Sequence, residues 1–111
     1  MEKERERIGK TEALFRNVNE GIKEASDRFD SEAAEFVCEC GDASCTDRIE
    51  VSLEEYDAVR ERATQFVVSP GHVKGPVERV VERRSDYSVI EKLDTVVQRI
   101  ARQLNPRPEA T

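Results

Sequence analysis

The sequence predicts an α+β fold. It combines a small antiparallel sheet with a cysteine-bearing hairpin, one inserted helix, a long N-terminal amphipathic helix and a short C-terminal helix. Three features lead there. Residues at spacings of three and four form a stripe through positions 3–29, short alternating runs at 35–40 and 48–51 and the apolar run at 65–68 read as strands, and all three cysteines of the 111-residue chain lie between positions 38 and 45.

Ile8, Thr11, Phe15, Val18, Ile22, Ala25 and Phe29 make up the N-terminal stripe. They share one helical face, which packs on the chain's own domain. Turned outward, the same stripe would pair two copies of the chain or dock on a partner, although Thr11 and Ala25 make a poor coiled-coil seam. Residues 30–34 read as a polar hinge. Glu35–Cys40 and Arg48–Val51 alternate on either side of the turn Gly41-Asp42-Ala43-Ser44, which makes a hairpin with the cysteines at its tip. Ser52-Leu53-Glu54-Glu55 is a capping box that starts a helix to about Arg62, burying Leu53, Tyr56 and Val59. Gln65–Val68 is a strand stopped by Ser69-Pro70-Gly71. Glu78–Arg83 and Tyr87–Lys92 read as a final hairpin, with a helix over 76–83 as the alternative because Pro76 suits a first helical position. Asp94 caps a last helix bearing Val97, Ile100, Ala101 and Leu104. The organisation expected is a helix over 1–30, an α+β domain over 31–104 and a disordered tail over 105–111.

The core is lean. Only 37% of residues are hydrophobic, six are aromatic and none is Trp, whereas 38% are charged. Small domains with thin cores need an added staple, such as a metal, a disulfide or a partner. The charged start Met1–Arg7 lacks the apolar region of a secretory signal, and no apolar run reaches membrane-spanning length, so a cytoplasmic setting with reduced thiols is expected. An odd number of cysteines also argues against a closed disulfide framework.

The chemistry concentrates in a C-x-C-x4-C run and the only histidine of the chain, His72. Three thiolates and an imidazole match the tetrahedral, borderline-soft preference of zinc. Cys38 and Cys40 stand two apart on extended backbone and so face one side, and the following turn returns Cys45 towards them. Pro70-Gly71 would present His72 as the closing ligand, with Asp42 or Asp47 as the alternatives. Cys40 and Cys45 are surrounded by polar residues, unlike cysteines that simply pack in a core. The alternating run thereby becomes a zinc-knuckle hairpin. A closed set of three cysteines and a histidine holds zinc structurally, because catalytic zinc keeps one position open.

Phe36-Val37-Cys38-Glu39-Cys40, Cys45, Arg48-Ile49-Glu50-Val51, Leu53-Glu54-Glu55-Tyr56 and Phe66-Val67-Val68-Ser69-Pro70-Gly71-His72 resemble a family of small uncharacterised bacterial proteins common in actinobacteria. Glu12–Glu20 and Val77–Glu82 extend the resemblance, which covers residues 10–92. It implies a cytosolic bacterial setting and supports the cysteine and Pro-Gly-His site, but it implies no activity.

Formal net charge is −6, which opposes general nucleic-acid binding. The charge is uneven: residues 35–57 carry eight acids and one base, while residues 58–84 carry six bases and three acids. Lys74, Arg79, Arg83 and Arg84 are the one basic cluster, a candidate partner-binding face. Ser52, Ser69, Ser85 and Ser88 sit in no nucleophile motif, and the five glycines form no phosphate loop, so no enzyme activity is expected. The composition therefore suggests a cytosolic zinc protein that acts as a protein-interaction or regulatory module. The alternatives are a nucleic-acid-associated zinc protein and a thiol redox sensor built on the three cysteines.

Overall fold

A computed structural model describes residues 2–72 and 78–107. The elements run α1 (Glu2–Arg28), β1 (Ala33–Val37), β2 (Arg48–Ser52), α2 (Leu53–Arg60), β3 (Gln65–Val68), β4 (Glu78–Arg83), β5 (Ser88–Lys92) and α3 (Thr95–Gln103). The fold is α+β, as the sequence predicts. Its strands divide into two antiparallel sheets, β1-β2 and β3-β5-β4. Glu39 joins them: just past β1, its N–H donates to the Val67 carbonyl of β3 at 2.8 Å.

Each helix end has a local cause. Glu2 and Glu4 in the first turn of α1 and Arg28 in its last turn complement the helix dipole. Asp30 stops the helix in the left-handed region at φ 52°. Ser31 N–H then reaches Ser26 O at 3.1 Å and Asp30 N–H reaches Asp27 O at 3.2 Å, a Schellman closure with Asp in the place usually held by Gly. Ser52 caps α2 through its hydroxyl, which accepts the Glu55 N–H at 3.0 Å. The Glu55 carboxylate also accepts the Tyr87 hydroxyl. Asp94 caps α3, accepting from Val96 and Val97 at 2.9 and 3.2 Å.

Two apolar clusters flank the sheets. One gathers Phe36, Ile49, Val51, Leu53, Tyr56, Val59, Val67, Tyr87 and Val89, with the Phe36 and Tyr56 rings stacked at 4.3 Å. The other joins Cys38 and Cys40 to Phe66, Val68, Ile90 and Ala101. Both follow from period-two alternation, since Phe66 and Ile90 pair across β3 and β5 on one face while Val67 and Val89 pair on the other.

The face of α1 differs from the predicted stripe. Val18, Ala25 and Phe29 are exposed, and Ile8, Thr11, Phe15 and Ile22 are half-buried. The fully buried positions are Gly9, Glu12, Ala13, Arg16, Asn19 and Lys23. The helix is rotated because its neighbours offer carbonyls and charges as well as apolar surface. Arg16 donates to the Ala63 and Ala101 carbonyls, each at 2.8 Å, and its guanidinium lies 4.9 Å from the centre of the Phe66 ring. Glu12 shares the buried Lys92 ammonium with Glu78. Buried polar groups need such partners.

Two further differences concern the C-terminal end. Leu104 is 45% exposed at the end of α3. Asn105 and Arg107, in the segment expected to be a loose tail, are held: Arg60 donates to the Asn105 side chain, and Arg107 makes two bonds to Glu20, at 2.6 and 2.8 Å, and one to Asp57 at 2.9 Å. Residues 78–83 are strand and not helix, while positions 76 and 77 lie outside the described residues, as do 108–111.

Candidate metal centre

The backbone assembles the site in three steps. β1 continues one residue past its ladder, where Cys38 N–H donates to Asp47 O at 3.1 Å, and Glu39 then crosses to β3. Alternation across Cys38, Glu39 and Cys40 directs both thiols to one side. The next turn is closed by Asp42, whose side chain accepts from Ser44 N–H at 2.9 Å and from the Ser44 hydroxyl at 2.7 Å; Cys45 N–H completes it on Asp42 O at 3.0 Å. After β3, Ser69-Pro70-Gly71-His72 forms a type II turn. His72 N–H bonds Ser69 O at 3.0 Å with Gly71 at φ 86°, which is why Gly stands there.

These steps bring Cys38, Cys40, Cys45 and His72 together, with ligand atoms all within 4.8 Å of one another. Nδ1 of His72 lies 3.6 Å from the Cys38 sulfur and 3.8 Å from that of Cys45. A tetrahedron with Zn–S of about 2.3 Å and Zn–N of about 2.0 Å has S···N edges of about 3.5 Å, so the two edges here, 3.6 and 3.8 Å, are close to the size of a zinc site. The three cysteines form no disulfide.

The alternative ligands have other work. The Asp42 carboxylate closes the turn beneath Cys45. Asp47 stands behind the histidine, with Oδ2 3.4 Å from Nε2. A carboxylate in that position orients an imidazole ligand and raises its basicity. Ser69 N–H donates to the Cys38 sulfur at 3.1 Å, a bond that favours thiolate. Against it, burial pushes the Cys38 thiol up to about 12, and burial likewise raises Cys40. Without a cation these two cysteines hold their protons; a coordinating metal removes them.

Among the described residues the predicted basic cluster is divided: Arg83 and Arg84 line a common cleft, and Arg79 faces away from Arg83. Arg79 pairs with Glu91 and Arg83 with Ser88, and a bulge between Val80 and Glu82 shifts the register. Glu91 and Ser88 are an odd number of positions apart, so Arg79 and Arg83 fall on opposite faces of the sheet. Arg84 is held by Glu82 at 2.7 Å and Glu55 at 3.8 Å. Lys74 lies outside the described residues.

The polar residues behind the cysteines escape a reading by pattern. Glu39 is fully buried, and its carboxylate accepts from Asn19 (2.8 Å), Tyr56 (2.9 Å) and the Val67 N–H (3.0 Å). Its position between two metal-facing cysteines on extended backbone is the only signal that it points inward. No helix among the described residues is long and apolar enough to cross a membrane. No protein-family model, curated protein or solved structure matches the chain.

Proposed function

We infer that this chain is a zinc protein in which Cys38, Cys40, Cys45 and His72 hold one structural Zn²⁺, and that the domain so fixed serves as a protein-interaction or regulatory module. The observation that carries the zinc assignment is the convergence of these four ligand atoms within 4.8 Å, with S···N edges of tetrahedral size. Four protein ligands leave no position for water or substrate, and three thiolates make the centre anionic, so it is a weak Lewis acid; no catalysis is assigned to it. The interaction role draws support from α1, whose outward face carries Leu14 at 60% and Val18 at 45% exposure. The nucleic-acid alternative is weaker, because Arg84 is paired and Arg79 and Arg83 diverge.

Cobalt substitution tests the ligand set. Co²⁺ bound by three thiolates in a tetrahedral site gives strong visible bands and a sulfur-to-metal charge-transfer band. His72→Ala should shift the visible bands and Cys40→Ser should weaken the charge transfer, whereas an octahedral spectrum would rule the assignment out. For the interaction role, binding to a candidate protein should survive moderate salt and fall with Leu14→Glu. Collapse with salt alone would favour binding through phosphate.

A further inference from the structure

The segment Cys38–Gly41 is held from two sides. On one side are the thiols of Cys38 and Cys40; on the other is the buried Glu39 carboxylate, bonded by Asn19, Tyr56 and Val67. Asn19 also bonds the strand itself. Its Nδ2 donates to Val37 O and its Oδ1 accepts the Val37 N–H, each at 2.8 Å, so its amide takes the place of a neighbouring strand at the edge of β1. At the far end of the segment Gly41 is buried against Ile8: a Cβ at position 41 would stand 2.5 Å from Ile8 Cγ2. Through Ile8 and Asn19, α1 therefore grips the backbone that carries two of the four ligands.

Given the zinc assignment above, on which this rests, we propose that zinc occupancy controls the docking of α1, making the metal centre a latch for the N-terminal helix. Removing zinc leaves no covalent link within the cysteine hairpin. The Cys38–Gly41 segment then gains freedom, and the hydrogen bonds from Asn19 to Val37 and Glu39, which weaken steeply with misalignment, are the first to break. The buried face of α1 favours release, because Glu12, Arg16, Asn19 and Lys23 can exchange their protein partners for water. The cluster built on Tyr56, Val59, Val67 and Val89 contains no cysteine; Ile22 of α1 packs against its edge, and the buried residues themselves retain their packing. The linkage is reciprocal, so loosening α1 weakens zinc binding by the same factor.

Hydrogen exchange on the full chain, with one equivalent of zinc and after chelation, tests the latch, with zinc content measured on the same samples. Amides of residues 8–23 should exchange at least about tenfold faster without zinc, a factor ordinary for coupled sites, while those of Val59 and Val89 keep their protection. In competition with a chromophoric chelator, Asn19→Ala and the milder Ile8→Ala should each weaken zinc by about tenfold. Asn17→Ala, at an exposed position of α1, should leave it unchanged. Zinc bound with equal α1 protection in both states would overturn the latch and leave the zinc assignment standing. Loss of protection spread evenly through α2 and β5 would also overturn it, making zinc a global staple. Absence of zinc from the protein would remove both.

Discussion

Nε2 of His72 lies 3.4 Å from Oδ2 of Asp47, while Nδ1 of the same ring faces the sulfurs of Cys38 and Cys45. This geometry suits a division of labour in which His72 would be the ligand and Asp47 would orient it. Asp47→Ala should keep one zinc per chain but weaken it roughly 10- to 100-fold, the usual effect of removing a carboxylate behind a metal-bound histidine. His72→Ala should weaken binding far more. A chelator competition on both variants checks the order, and equal weakening would place Asp47 in the coordination sphere.

The pH response follows from Cys38 and Cys40, whose thiols burial raises, that of Cys38 to about 12. Zinc must displace these protons, so binding releases at least two protons near neutrality and affinity falls at least about a hundredfold for each pH unit of acidification. Calorimetry in two buffers of different ionisation enthalpy counts the protons. In metal-free protein the sign is opposite. The folded state holds the Cys38 proton more tightly than the unfolded one, so this group's stability is full below pH 9 and is lost as pH rises towards about 12.

Glu39→Gln tests the buried acceptor. The carboxylate accepts three bonds, and an amide of the same shape must turn its NH₂ towards at least one donor among Asn19, Tyr56 and Val67. Leaving a buried donor unsatisfied costs about 2 kcal/mol. In a domain of this size that lowers Tm by roughly 8–16 °C, readable by thermal melting of the zinc-loaded protein. An unchanged Tm would mean that Glu39 is already protonated in the folded state.

Two glycines near the site are needed for different reasons, and a rescue separates them. Among the described residues none would come within 4 Å of a Cβ at Gly71, which sits at φ 86°, so Gly71→Ala should cost about 1 kcal/mol through backbone strain. Gly41→Ala should cost about 1–3 kcal/mol by pressing on Ile8. Adding Ile8→Ala should recover part of the stability lost in Gly41→Ala and none of that lost in Gly71→Ala, measured as double-mutant cycles in urea.

The convergence of Cys38, Cys40, Cys45 and His72 was the most legible part of the sequence, because C-x-C on extended backbone, the Gly41–Ser44 turn and Ser69-Pro70-Gly71 each impose local geometry that points a side chain. The same holds for the caps at Ser52 and Asp94 and for the antiparallel runs. What pattern could not reveal was the burial of charge. Glu12, Arg16, Asn19 and Lys23 have helical spacing as regular as the apolar stripe of α1. Only the distant carbonyls of Val37, Ala63 and Ala101 and the Lys92 and Glu39 side chains make that face the inner one. The division of the basic residues is equally invisible to pattern, since one bulge in β4 separates Arg79 from Arg83.

Metal content measured by native mass spectrometry is the most direct test of the zinc assignment, on protein purified without chelator and on the Cys40→Ser and His72→Ala variants. The zinc assignment predicts one zinc per chain, with a mass that accounts for displaced thiol protons, weakened or lost in both variants together with thermal stability. Metal-free protein with three freely titrating thiols and unchanged stability would contradict it.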